Sequence, residues 1–441
     1  MKIIHTADLH LGQTLYQHYD RSDEHQLFFQ QLEQWCKEER PDALIVSGDV
    51  FDIQMPSIPT RKKFNEYFVR LQKQLPEMHI VITAGNHDSA SRIQADHDVW
   101  TFSNTHLIGL PPSASAKDGW QDDHIIALDS GFIVAMPFAQ GDRTQQLQSV
   151  LDRVAERNSG QKPVVMMGHL AVTGLDPTGH NFEIGKIKTQ NAADLGTGYD
   201  YLALGHIHKP QTIGHPEDCM VMEAVTYPAP IIRYSGSALH VSCDEQYPHT
   251  VSVVEIDKHG GSVTIRQLRI NELLHFYTLP EEADAAFNSE QEALQGIETF
   301  CKTTQKGYFR LKINLAAVIS ANFNQQVYDL LAAYGNEARF NPKVIWMGEK
   351  DASATVCEKP VFEVAELQEM KDPLVFIEKT KDQYPLLDMS LLPELFEEVK
   401  EEVIRLREQA DAKNEAKEKK KKMKKKGKTS KEDTETETSQ A

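Results

Sequence analysis

K-I-I-H-T-A-D-L-H-L-G, residues 2–12, sets the reading of this chain. Lys2–Thr6 is a short run that reads as a strand, and Asp8-Leu9-His10 follows it at once. A strand with apolar residues on both faces belongs in a sheet covered on both sides. Asp8 and His10 stand two residues apart, so in an extended strand end both side chains point the same way. Carboxylate and imidazole at that spacing are metal-ligand types, but one D-x-H carries little information.

The same pattern recurs further along the chain. A-L-I-V-S-G-D-V-F-D (43–52) is an apolar run ending in Asp49 and Asp52. H-I-V-I-T-A-G-N-H-D (79–88) ends in Asn86, His87 and Asp88. V-V-M-M-G-H (164–169) ends in His169, and Y-L-A-L-G-H-I-H (201–208) ends in His206 and His208. Phe132–Met136 reads as a further strand. Between strands, Glu24–Glu38 and Pro59–Gln74 place apolar residues near i, i+3, i+4, which predicts amphipathic helices. Alternating strands and helices of this kind give an α/β fold with a buried sheet and helices outside. In such sheets sites form beyond the carboxyl ends of the strands. Five strands each ending in a ligand-type residue can therefore converge on one edge.

The residue types set the chemistry. A carboxylate lying between two cations can bridge them, and Asp49 is the natural choice. Asn86 offers a neutral carbonyl oxygen. A shell of imidazole, carboxylate and amide without thiolate suits Mn²⁺, Fe²⁺ or Zn²⁺, with octahedral Mn²⁺ the first choice and Mg²⁺ an alternative. Two cations ~3.5–4 Å apart lower the pKa of a bound water and clamp a phosphoryl oxygen during in-line attack. A glycine before each ligand lets the backbone turn tightly. His5 lies inside the first strand and reads as a hydrogen-bonded core residue. His18, His25, His97 and His106 lack the strand-end context and read as structural.

The whole chain bounds these expectations. Its 441 residues suggest two or three domains. Apolar content of 40% and charged content of 25% are those of a soluble globular protein. No apolar run is long enough for a membrane span, and the first residues have no signal-peptide pattern, so a cytoplasmic protein is expected. Cys36, Cys219, Cys243, Cys301 and Cys357 are scattered without a C-x-x-C pair, which suits free thiols in a reducing compartment. The net charge of −18 argues against stand-alone nucleic-acid binding. Bound cations offset it where it matters, at the site.

The ligand-bearing domain is expected to span 1–269, with Val221–Ala224 and Val251–Ile256 as late hairpin strands. A small α+β module over 270–350 follows. Its expected strands are His275–Leu279, Tyr308–Leu315 and Arg339–Met347, and its helices Ser289–Lys302 and Asn322–Tyr334. It shows no cluster of metal-type residues and reads as a cap shaping access to the first domain. Over 351–410 come short amphipathic helices, Glu363–Met370, Asp372–Lys381 and Leu391–Glu408, split by Pro373 and Pro385. They either pack on their own chain or dock in a partner's groove. From 411 to 441 a Lys-rich run and then a Glu/Thr/Ser-rich run predict disorder. The lysines are a solubilising tail or a non-specific phosphate contact.

The ordered set resembles the calcineurin-like metallophosphoesterase superfamily. Within it, HTADLHLG (5–12), SGDVFD (47–52) and AGNHDS (84–89) resemble the SbcD/Mre11 nuclease family, the SbcD branch in particular. MGHL (167–170), ALGHIHKPQ (203–211) and RYSGS (233–237) extend the match over about the first 250 residues. The resemblance implies a two-sheet sandwich flanked by helices, followed by the cap and a C-terminal partner-binding segment. It implies one metal held by Asp8, His10, Asp49 and His208, and another by Asp49, Asn86, His169 and His206. His87 would donate a proton to the leaving oxygen, and Asp52 would hydrogen-bond His87 and fix its tautomer. Asp88 would be a turn carboxylate. Tyr234, Ser235 and Gly236 would form a substrate-side loop. Ala238 departs from the pattern, since SbcD-like chains often carry proline there.

The resemblance also implies partners. These are DNA and an SbcC/Rad50-type ATPase, whose coiled coils the helices from 363 to 408 would grip in a heterotetramer. A homodimer would form through the helices after SGDVFD and AGNHDS, with Phe64, Tyr67, Phe68 and Leu71 as contacts unless they are core. The complex would degrade double-stranded DNA as a 3′–5′ exonuclease and cut hairpins and single strands as an endonuclease. ATP turnover by the partner would drive it in repair, recombination and replication. Two other functions stay open: a phosphoesterase of the same superfamily acting on a phosphoprotein or small nucleotide, and a DNA-tethering scaffold.

Overall fold

A computed structural model of the chain describes residues 1–347 apart from 17, 113–117, 142, 179–188 and 217–221. The three expected helices between 363 and 408 and the tail lie outside the described residues. Two sheets form the body of the first compact unit, Met1–Glu349. The first runs, edge to edge, Val225–Pro228, Ser262–Arg269, Thr250–Ile256, Lys2–Thr6, Ala43–Ser47, His79–Thr83 and Thr105–Ile108. Its last four strands are parallel, and Thr250–Ile256 joins them antiparallel. The second runs Gln211–Thr212, Ile231–Tyr234, Tyr201–Gly205, Val164–His169, Phe132–Ala135 and Ile125–Ala127, with its four central strands parallel.

Strand alternation sorts the apolar residues into layers. Ala43 and Ile45 point between the two sheets, where they meet Val165, Met167, Tyr201 and Ala203 from the second. Leu44 and Val46 point the other way, onto Phe28, Leu32, Phe68 and Leu71 of two helices. Val164, Met166 and Leu202 do the same for the second sheet, against Leu147, Val150 and Val154 of the helix Thr144–Arg157. The result is helix, sheet, sheet, helix. Strands buried on both faces explain why the runs read as continuously apolar.

Two of these helices lie between the first three strands. Ser22–Glu39 ends at Arg40, whose left-handed φ of 48° lets its N–H close onto the Cys36 carbonyl. Ile58–Gln74 starts at Ser57, whose hydroxyl accepts from Thr60 N–H, with proline in the first turn. Phe29 stacks on Tyr67 at 3.7 Å between ring centroids, and the Tyr67 hydroxyl donates to the Phe29 carbonyl. Phe64, Tyr67, Phe68 and Leu71 are all buried in this core. Of the two readings open for them, dimer contact or core, the structure favours core.

Other boundaries shift in smaller ways. Of the expected strand Val221–Ala224, residues 222–224 lie outside any strand; the late strand is Val225–Pro228, paired antiparallel with Ser262–Arg269. Arg339–Met347 is not one strand. It is Arg339–Phe340 and Ile345–Met347, both parallel to Tyr308–Asn314. Pro342 lies between them and has no N–H to give to a ladder. Phe276–Leu279 completes this smaller sheet, and the helices Glu290–Thr303 and Phe323–Ala333 cover it over Ile297, Phe300, Phe309, Val327 and Phe340. A buried polar cluster seats the α+β module on the sandwich. Arg21 grips Glu24 with two nitrogens, and the Tyr308 hydroxyl donates to the same carboxylate at 2.7 Å.

Candidate metal centre

The five predicted strands all end at one place, and both sheets contribute. Lys2–Thr6, Ala43–Ser47 and His79–Thr83 come from the first, and Val164–His169 and Tyr201–Gly205 from the second. Ser47 ties them together: its hydroxyl donates to Ala203 O and its carbonyl accepts from His169 Nδ1–H at 2.9 Å. Beyond the strand ends the first two segments continue side by side, with Asp8 N–H on Gly48 O and His10 N–H on Asp49 O. Asp8, His10, Asp49 and His206 all have positive φ, an uncommon conformation for residues bearing a Cβ. Such strain persists where packing over-determines it, and it clusters at functional sites. Gly205 has no room for a side chain, since a Cβ there would stand 1.9 Å from Ser47 O.

Every predicted ligand reaches this edge. Asp8 and Asp49 are buried carboxylates; Asp8 accepts from His206 N–H and Asp49 from His87 N–H at 2.8 Å. Asp8, His10 and His208 can bring one donor atom each within 4.8 Å of one another, and so can Asp8, Asp49 and His169. On the second side Asn86 Oδ1 lies 3.0 Å from His169 Nε2 and 2.9 Å from His206 Nδ1, while His169 Nε2 is 3.2 Å from Asp49 Oδ2.

The ring nitrogens show how each imidazole is set. His169 Nδ1 holds its proton against Ser47 O, which turns Nε2 toward Asp49 and Asn86. His208 Nδ1 donates to Glu245 Oε1 at 2.7 Å. His10 Nδ1 lies 3.2 Å from Asp52 Oδ1, an ion-pair contact too poorly aligned for a hydrogen bond. A partner behind the ring is the usual way a metal-binding histidine is oriented. Asp52 therefore differs in part from expectation. Its carbonyl oxygen, not its carboxylate, accepts from His87 Nδ1–H at 2.8 Å, and its carboxylate faces His10. His87 itself is exposed at the mouth of the site.

Electrostatics fit a cation. Burial raises the Asp8 carboxyl to about 7, against the opposing pull of His169. Burial also raises Asp49, but the His169 and His10 rings outweigh it and hold that carboxyl well below its usual range. Burial would depress His10, yet Asp52, Asp49 and Asp8 bring it up to about 9. His169 reaches about 9 in the same way, chiefly through Asp49. Protons on imidazoles thus balance the carboxylates when nothing else does. His10 Nε2 is buried without a hydrogen-bond partner, and His169 Nε2 lies between the Asn86 amide oxygen and the Asp49 carboxylate, where a cation could take the place of its proton. That donor set suits hard or borderline divalent cations, and no thiol among the described residues takes part.

Other singled-out residues fall into place. Asp88 accepts from the N–H groups of Val50, Phe51 and Gly85, the turn carboxylate that was expected. His5 is buried and shares a hydrogen bond with the Tyr201 hydroxyl, and burial lowers its pKa to about 3. His25 braces the Leu9 carbonyl behind the first ligand loop. Tyr234 does not face substrate. It is buried, its hydroxyl donating to Leu170 O and accepting from Val172 N–H, so it braces the chain after His169. Ser235 is buried too, and Gly236 packs on the His208 carbonyl with no space for a Cβ. Ala238 donates its N–H to Asp8 O, a bond that proline there would lose. Glu245 and Ser47 have site roles that sequence reasoning missed. Ser47 acts through its main chain, and Glu245 lies outside every motif.

The chain is similar to several known proteins. A family model described as calcineurin-like phosphoesterase matches residues 1–210. The D subunit of nuclease SbcCD from Escherichia coli (strain K12) is 30% identical over 276 residues, 57% of this chain and 65% of that one. Its namesake from Rhodobacter capsulatus is 28% identical over 315 residues, 65% of this chain and 73% of its own. The DNA double-strand break repair protein Mre11 of Aeropyrum pernix is 26% identical over 218 residues, 48% of this chain and 49% of its own. The chain therefore spans just under two thirds of the Escherichia coli relative's length. Among solved structures, a dimetal phosphatase from Danio rerio aligns with 62% of this chain and 99% of its own at 12% identity and a TM-score of 0.33, a likeness too slight to bear on fold or function.

Proposed function

Residues 1–210 carry a calcineurin-like metallophosphoesterase domain, and on that premise we propose that this chain is the nuclease component of an SbcCD-type complex. It hydrolyses DNA phosphodiesters at a two-cation centre. The observation that supports this most is the meeting of seven donor side chains, from the ends of five strands in two sheets, at one edge. Asp8, His10, Asp49 and His208 would hold one cation, and Asp49, Asn86, His169 and His206 the other, with Mn²⁺ preferred. When bound, the cations supply an acidified water and neutralise charge on the phosphoryl oxygens.

The chain's own groups do the rest. Ser47, Asp52 and Glu245 stand behind His169, His10 and His208 and fix their rings. His87 lies outside this shell, with its Nδ1 proton committed to the Asp52 carbonyl. With Nδ1–H so committed, Nε2 is the ring nitrogen left to meet the leaving oxygen.

The names of the relatives, a nuclease SbcCD subunit and a DNA double-strand break repair protein, favour DNA as substrate and a further subunit as partner. The partner would be SbcC/Rad50-type, gripped by 363–408, with exonuclease and endonuclease action gated by its ATP turnover. Action on nucleoid DNA in the cytoplasm belongs to the same reading. No helix among the described residues is long and apolar enough to cross a membrane. A homodimer would draw on residues such as Ile58 and Val69, which stay exposed on the helix Ile58–Gln74. The test is cleavage of blunt, hairpin and single-stranded DNA with Mn²⁺, with and without the co-purified ATPase, beside hydrolysis of a cyclic nucleotide. Chelator-sensitive DNA cleavage supports the proposal. Hydrolysis of the cyclic nucleotide with all three DNAs left intact would replace it with a small-substrate phosphodiesterase.

A further inference from the structure

Glu245 is a buried carboxylate in a loop that no motif marks. It is held on every side. Oε1 accepts from His208 Nδ1–H at 2.7 Å, Oε2 accepts from Val241 N–H at 3.0 Å, and His249 Nε2 lies 3.4 Å from Oε2. His249 is anchored in turn through Nδ1–H to the Ser237 carbonyl, and Ser237 N–H donates to His208 O. Ligand, carboxylate and anchor thus form a closed loop of contacts around His208.

The neighbours of Glu245 lead elsewhere. Asp244 pairs with Arg310 of the α+β module, whose Nε also donates to Thr278 at 3.0 Å. The Gln246 side-chain amide donates to the same Thr278 hydroxyl at 2.9 Å. Asn341 of the module donates to the Cys243 sulfur. The residues on both sides of Glu245 are therefore gripped by the module, while Glu245 itself faces the metal centre. A segment four residues long joins the two.

We propose that Glu245 is the positioning residue for His208, and that through residues 243–246 the seating of the α+β module enters the geometry of the metal centre. Glu245 fixes the ring so that Nδ1 carries the proton and the other nitrogen joins Asp8 and His10. Carboxylates behind metal-binding histidines are worth about 10- to 100-fold in metal affinity. Release of Arg310 from Asp244 loosens the loop without touching a ligand. The inference rests on the two-cation reading of the site.

The test uses the full chain and counts bound Mn²⁺ from the paramagnetic resonance signal of the free ion, with a thermal melt of each cation-free protein. The expectation for Glu245→Ala is an affinity for one of two ions lowered by about 10- to 100-fold, the other unchanged. Glu245→Gln keeps an acceptor for His208 Nδ1–H and should recover most of that loss. Arg310→Ala, remote from every ligand, should weaken the same ion by at least about threefold. If Glu245→Ala does not fold, the Arg310 variant decides: an Arg310→Ala that binds both ions with wild-type affinity overturns the proposal. Two ions bound by all variants with wild-type affinity also overturns it while leaving the two-cation reading intact. A wild-type chain that takes up no Mn²⁺, Fe²⁺ or Zn²⁺ removes both.

Discussion

At the scale of single residues, His87 and the ligands beside it carry separable properties. His87 donates its main-chain N–H to Asp49 and its Nδ1 proton to Asp52 O, and its ring is exposed. The His87→Ala variant should keep Mn²⁺ and DNA binding and lose about 10²- to 10⁴-fold in single-turnover cleavage rate. Cleavage at the wild-type rate would remove the assigned role. The ligand imidazoles predict a pH dependence. Without cations His10 and His169 keep protons up to about 9, and Asp8 up to about 7. Cations must displace those protons, so affinity rises as pH increases through about 7 to 9 and levels off above. Titration calorimetry near neutral pH in two buffers of different ionisation enthalpy should detect the release; identical heats in both would contradict it.

At the scale of elements, the helix Ile58–Gln74 shows how a sequence stripe acquires its meaning. Its periodicity marks Phe64, Tyr67, Phe68 and Leu71 as one face, and that face is core. Phe68 has no exposed surface and touches the rings of Phe29, Phe64 and Tyr67. Phe68→Ala should cost about 3–5 kcal/mol of stability in denaturant unfolding. A change in oligomeric state with stability intact would mean that the face is an interface after all. Periodicity tells which residues share a face, not whether that face meets the same chain or another. The split of Arg339–Met347 has a local cause, Pro342.

At the scale of the whole molecule, the ordered elements build one compact unit through residue 349, with the small module seated by Arg21, Glu24 and Tyr308. The proposed attachment to an ATPase falls on the amphipathic stretch 363–408, outside the described residues. Truncation before residue 355 should leave Mn²⁺ binding and melting of the remaining chain nearly unchanged while abolishing co-purification with the ATPase. Retention of the complex after truncation would move the contact into the first 349 residues.

The sequence by itself determined the strands, the β-α-β order between them and the seven polar side chains that meet at their ends, because each of these is local. A buried parallel strand must be apolar along its length, and a ligand at its carboxyl end must follow within a few residues. Tertiary structure decided what stands behind the ligands. Asp52 turned its carboxylate to His10, Tyr234 its hydroxyl inward to Leu170 and Val172, and Glu245 came to His208 from 37 residues away. Those partners are chosen by which loops pack together after the two sheets close. No spacing along the chain records that choice.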